Sequence, residues 1–159
     1  MESNYPTWAD TWFEICHVVA KRSKDKRTKL GAVIIGPDNE LRSLGYNSFP
    51  RGINDNKEER QESPEKYHWF EHAERNAIYN ACRTGTPLKG CTLYVPLTPC
   101  CDCARAIIQA GITKVAIETS EIPEHWDGNT VLKSIVMFNE AGVDIYYHKK
   151  EKEKNNEDD

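Results

Sequence analysis

His72-Ala73-Glu74 and, further along, Pro99-Cys100-Cys101-Asp102-Cys103 bring an imidazole, a carboxylate and a close pair of thiols into one chain. Imidazole nitrogen and thiolate sulfur are donors that tetrahedral zinc takes, and a site with three protein ligands keeps its fourth position for water. Two cysteines separated by two residues at a helix start stand about one turn apart, close enough to hold one ion. The positive end of that helix favours their thiolates. His72, opening another helix, can supply the third donor. Water on such an ion has its pKa lowered from ~16 to about 7, which provides a nucleophile in the neutral range. Glu74 can approach that water without ligating, take its proton and hand it to a leaving nitrogen. The competing reading is a closed zinc knot with His68, Cys101 or Glu74 as fourth ligand. Cys101 adjoins a proposed ligand and is expected to point away, whereas His68, beside aromatic residues, stays open.

The elements that must position these groups follow from local pattern. Thr7 can cap a helix with Asp10 three residues on, after which Trp8, Trp12, Ile15, Cys16 and Val19 recur at helical spacing. A basic cluster from Lys21 to Lys29 follows, either a solvated helix end or an anion-binding patch. Leu30 to Ile35 and Leu41 to Tyr46, joined through Gly36-Pro37-Asp38-Asn39, read as a hairpin. Asn47 to about Lys66 has almost no apolar period and reads as a functional or mobile loop. Glu71 to Cys82 and Cys100 to Ala110 read as helices, each with a motif at its start. Thr92 to Val95, Lys114 to Glu118 and Val143 to Tyr147 read as strands, and Val131 to Ala141 as a helix. Repeated βαβ after a hairpin predicts an α/β fold: a mixed sheet with mostly parallel later strands and helices on both faces.

The chain has 159 residues and 38% hydrophobic residues, which predicts one domain over 1–148. The charged segment 149–159, without an apolar residue, is expected to be disordered. No run reaches the ~18 apolar residues of a membrane span, and Met1 to Asp10 does not resemble a signal peptide, so a cytoplasmic protein without a membrane partner is expected. The net charge of -4 argues against a nucleic-acid partner. Six cysteines without export signals are expected to be reduced, with Cys16, Cys82 and Cys91 as buried, inert thiols.

The His-x-Glu and Pro-Cys-x-x-Cys combination resembles the zinc-deaminase signature. Beyond it, Arg22-Ser23-Lys24-Asp25, Gly31-Ala32-Val33-Ile34, Gly45-Tyr46-Asn47, Phe49-Pro50-Arg51-Gly52, His72 to Ile78 and Ile107 to Ile112 resemble the deoxycytidylate deaminase family in that order, over about Trp12 to Tyr147. The resemblance implies a three-layer α/β/α cytidine deaminase-like fold with a central mixed five-stranded sheet, and hydrolysis of dCMP to dUMP with release of ammonia. It places His72, Cys100 and Cys103 on the ligands of a catalytic zinc and Glu74 on the proton shuttle. It also sets Ala73 against the base and Asn47 near the sugar. The phosphate could be met by Lys24, Lys26, Arg27 or Arg51. Tyr67, Trp69 and Phe70 are candidates either for stacking on the base or for the core.

Many members of that family respond to dCTP and dTTP through a site near a Gly-Tyr-Asn-Gly turn, where this chain has Ser48 in the last position. Some carry a second, structural zinc. The middle loop here has no cysteine, so one zinc per chain is expected. The resemblance further implies a homo-oligomer, commonly a hexamer. Rival readings are a deaminase of cytidine, cytosine, CMP, dCTP, a modified cytosine nucleotide or tRNA adenosine, and a catalytically silent zinc- or nucleotide-binding protein.

Overall fold

The computed structural model describes residues 5–148. The expectation for 149–159 therefore lies outside the described residues. Thr7 opens α1 (Trp8–Ala20) with a capping box, accepting from the Asp10 N–H while the Asp10 carboxylate accepts from the Thr7 N–H. Trp12, Phe13, Cys16 and Ala20 form its buried side. Trp8, placed on that side by periodicity, is 63% exposed and stacks on Trp12. A first-turn residue has only one following turn to help cover it.

β1 (Gly31–Ile35) and β2 (Leu41–Tyr46) form the expected antiparallel hairpin. The remaining order is α2 (Ala73–Thr84), β3 (Thr92–Val95), α3 (Cys101–Gln109), β4 (Lys114–Ile117), α4 (Gly128–Ala141) and β5 (Asp144–Tyr147). The sheet runs β2-β1-β3-β4-β5. β1 and β3 are antiparallel, whereas β3, β4 and β5 are parallel in step with the helical crossovers between them. This is the mixed five-stranded sheet expected. Among the described residues no helix is long and apolar enough to cross a membrane.

β1 is buried along its whole length because its alternating side chains meet a different layer on each side. Val33 and Ile35 pack with Trp12 and Cys16 of α1. Ala32 and Ile34 join Leu93, Val95, Val115 and Ile117 under residues of α2, α3 and α4. Each fully buried Leu, Ile or Val here contributes about 1.5–3 kcal/mol. The result is three layers, with α1 on one face of the sheet and α2, α3 and α4 on the other.

The seat of α2 determines where the first motif lies. Ala73, Ala77 and Ala81 keep its inner face thin, and Gly45 lets β2 come against it. A Cβ at Gly45 would stand 2.4 Å from the Ala77 nitrogen and 2.7 Å from the Ala73 oxygen. Asn76 and Asn80 donate to the carbonyls of Tyr46 and Leu44 at 2.8 and 2.7 Å, and the Ser43 hydroxyl donates to the Ala77 carbonyl at 2.6 Å. These bonds fix α2 along β2.

Segment 47–66, read from sequence as a functional or mobile loop, carries a short 3-10 turn at Glu58–Arg60 and leads into another at Glu65–His68. Ser48 and Glu71 exchange backbone hydrogen bonds at 3.1 and 2.8 Å, closing the segment back on itself. Asn39 is the non-glycine residue with a positive φ among those described, so the backbone at Ser48 does not demand glycine. The Ser48 hydroxyl instead accepts from Asn76 at 3.2 Å.

Candidate active site

Both motifs open helices, α2 beginning two residues and α3 one residue later than the sequence pattern indicates. His72 and Cys100 are the N-cap residues of α2 and α3, in extended conformation, while Glu74 and Cys103 lie in the first turns. Neither N-cap side chain makes a capping hydrogen bond to its own helix. His72 Nδ1 lies 3.5 Å from both Cys100 Sγ and Cys103 Sγ. One donor atom from each residue falls within 4.8 Å of the others, a group placed to hold a metal ion. Two sulfurs and one imidazole nitrogen are a donor set that suits zinc.

The electrostatics agree with that use. Hydrogen bonding from Cys103, then from His72, brings the Cys100 thiol down to about 4, and the same bond together with burial pushes Cys103 well up. The two sulfurs behave as one coupled pair that gives up its first proton readily, and metal binding displaces the other. The N-termini of α2 and α3 both face this negative charge. Arg75 adds a fixed cation, paired with Glu71, whose carboxylate also accepts from the His72 N–H at 3.0 Å. Glu71 thereby braces the backbone of the imidazole residue.

None of the three proposed fourth ligands joins the group. His68 is exposed, and the Cys101 sulfur accepts from the Thr130 hydroxyl at 2.8 Å, turned toward α4. Glu74 stands apart from the three donors as well, only 3% exposed, and burial raises its carboxyl pKa. A carboxyl whose pKa is raised holds a proton more readily than a free one, which suits it to act as an acid as well as a base.

His72, Cys100 and Glu74 line a cavity of about 460 Å³ together with Ala73, Asn47, Tyr67 and Phe70. Asn47 is buried, and its side chain is engaged in the wall: Oδ1 accepts from the Leu30 N–H and Nδ2 donates to the Thr28 carbonyl, each at 2.8 Å. Of the three aromatic candidates, Trp69 does not line the cavity. It carries the Arg60 guanidinium 3.7 Å from its ring centroid and donates to Glu65. Phe70 leans on Phe49 with centroids 4.4 Å apart.

The four phosphate candidates lie around other openings. Lys26 and Arg27 border a cavity of about 320 Å³ beside the turn at Asp25. Lys24 and Arg51 line one of about 740 Å³ on the far side of α2, with Arg22 and Arg83. Lys24 pairs with Asp55 and Lys26 with Glu58, while Arg51 donates to Asn80. Cys82 also lines the larger opening and is exposed, contrary to the expectation of burial, because it sits beside rather than on the Ala77 and Ala81 face. Cys16 and Cys91 are buried as expected, with burial raising both thiols, Cys16 to about 12.

Sequence reasoning missed His125, Trp126, Asp127 and Thr130, which line the first cavity from the segment between β4 and α4. A usable signal was present, since open α/β sheets bind ligands beyond the carboxyl ends of their strands. Lys66 was missed as well.

A family model described as the cytidine and deoxycytidylate deaminase zinc-binding region matches residues 6–119. Human deoxycytidylate deaminase is 35% identical over 145 residues, covering 88% of this chain and 79% of the relative. An uncharacterized deaminase in the luxG 3' region of Aliivibrio fischeri is 39% identical over 140 residues, with coverages of 87% and 91%. The dCMP deaminase of cyanophage S-TIM5, solved with dCMP and dUMP, shares the fold at a TM-score of 0.73 and 22% identity, over 92% of this chain and 100% of that one.

Proposed function

The chain belongs to the cytidine and deoxycytidylate deaminase family and has its fold, and from that premise we propose that it hydrolyses dCMP to dUMP with release of ammonia. The observation that carries this reading is one cavity lined by His72 and Cys100 of the His72–Cys100–Cys103 group and by the buried Glu74, whose carboxyl pKa is raised by burial. The cofactor is zinc, held by His72, Cys100 and Cys103, and when bound it supplies a Lewis acid that activates water. Glu74 takes a proton from the water that attacks C4 of the cytosine and passes it to N3. It then takes the hydroxyl proton at C4 and delivers it to the amine as the C4–N4 bond breaks. Ala73, at the first position of α2, has a backbone N–H without an intrahelical acceptor and offers it to the base. Asn47 stands at the sugar side. Lys26 and Arg27, beside Thr28 of the cavity wall, serve the phosphate; the exposed Lys26–Glu58 pair is weak enough to exchange.

The same reading takes 1–148 as one deaminase domain of a homo-oligomer, with dCTP and dTTP as effectors. What supports effector binding is the larger cavity, where Arg22, Lys24, Arg51 and Arg83 gather beside Tyr46 and Tyr79. Wild-type protein with bound zinc is expected to release ammonia from dCMP in a panel with CMP, dCTP and deoxycytidine. Glu74→Gln should keep its zinc and lose roughly a hundred- to ten-thousandfold in kcat. Zinc-loaded wild type inactive on the whole panel would sink the reading, and a dCMP saturation curve unmoved by dCTP and dTTP would remove the effectors.

A further inference from the structure

A charged pair not used in the chemistry is buried in the cavity wall. The Lys66 ammonium donates to both carboxylate oxygens of Asp25, at 3.0 and 2.8 Å, with side-chain exposures of 10% and 7%. Replacing such a pair by apolar groups is often neutral or stabilising, so stability alone is a poor explanation for it. The geometry around it is more informative. Asp25 Oδ1 also accepts from the backbone N–H of Arg27 at 2.8 Å and of Thr28 at 3.3 Å, which shapes the turn leading to Leu30. Asp25 Oδ2 accepts from Asn47 at 3.4 Å, and the Ser23 hydroxyl donates to the Asn47 carbonyl at 2.7 Å. One carboxylate thus ties together the turn after α1, the end of β2 and the 3-10 turn that carries Lys66.

Those three segments supply Asn47, Thr28, Tyr67 and Phe70 to the cavity of the metal group. Asp25 and Lys66 line that cavity and also the one bordered by Lys26 and Arg27, so the pair is the partition between them. Burial pushes the Asp25 carboxyl up, but Lys66 and the two backbone donors bring it below its ordinary value, which favours the carboxylate.

We propose that Asp25 and Lys66 are positioning residues that hold Asn47 and the 25–28 turn as the sugar–phosphate wall of the cavity, and so set nucleotide affinity without acting on the metal group. The inference rests on the dCMP reading. If the wall loosens, the nucleotide loses contacts made equally in ground and transition states, which raises KM and spares kcat.

Lys66→Met keeps the length and removes the charge. With dCMP, its KM should rise about tenfold or more with kcat within about threefold and zinc content equal to wild type, and Lys66→Arg, which can still face Asp25 with two donors, should restore KM. Asp25→Asn, which retains an oxygen for the turn, should move KM in the same direction, and carries the test if Lys66→Met does not fold. A drop in kcat at unchanged KM, loss of zinc, or unchanged KM in both variants overturns the proposal. Wild type inactive on dCMP would instead count against the function itself, a result visible before any variant is made.

Discussion

The two cavities on either side of α2 differ in what their walls contain. The smaller is walled by helix starts, with His72, Cys100, Glu74 and the rings of Tyr67, Phe70 and Trp126 in its lining. The larger is walled by the outer face of the same helix and by segment 48–55, with four cations from three separate segments. One helix therefore borders both cavities, its first turn beside the metal group and its later turns at a surface rich in positive charge. Reactive groups need fixed distances, which helix N-termini with buried partners provide. Polyanion binding needs charge more than angle, and long exposed side chains provide that.

The largest expected effect is confined to the smaller cavity. Cys103→Ser removes a soft donor from the group, so zinc measured by atomic absorption should be lost and turnover should fall roughly a thousandfold or more. Retained zinc with retained activity would mean that the group is not the reaction centre. A second substitution should strike both cavities at once. Gly45→Ala drives a methyl group into the backbone of α2, and thermal unfolding should show a loss of about 1–3 kcal/mol together with weaker zinc retention. An unchanged melting curve would show that α2 can shift without cost, and the two regions would then be less tightly joined than their shared helix implies. The smallest effect belongs to the larger cavity. Arg51→Ala should raise the half-saturating concentration of dCTP as effector by about tenfold, the loss of one charge-assisted hydrogen bond. An identical dCTP response would separate the cavity from regulation.

The site and the fold were not equally open to sequence reading. His72, Glu74, Cys100 and Cys103 were legible because each motif spans no more than one helical turn, where helix geometry alone sets the spacing. Among the described residues, the five strands and four α-helices followed from period and from turn residues such as Gly36-Pro37 and Gly142. Exposure at the edges of elements was harder, and Trp8 and Cys82 were misplaced because periodicity assigns a face without saying whether another layer covers it.

By itself the sequence determined the donor set, the carboxyl of Glu74 near it and the order of elements that must bring them together, since these depend on short-range geometry and apolar period. Only the tertiary structure decided which cations face which cavity, that Lys66 turns inward to Asp25, and that His125 and Trp126, from the segment after β4, line the same cavity as His72 and Cys100. The reason is physical. A long charged side chain on an irregular segment has no period to give its direction, and its partner lies tens of residues away, chosen by how the layers pack.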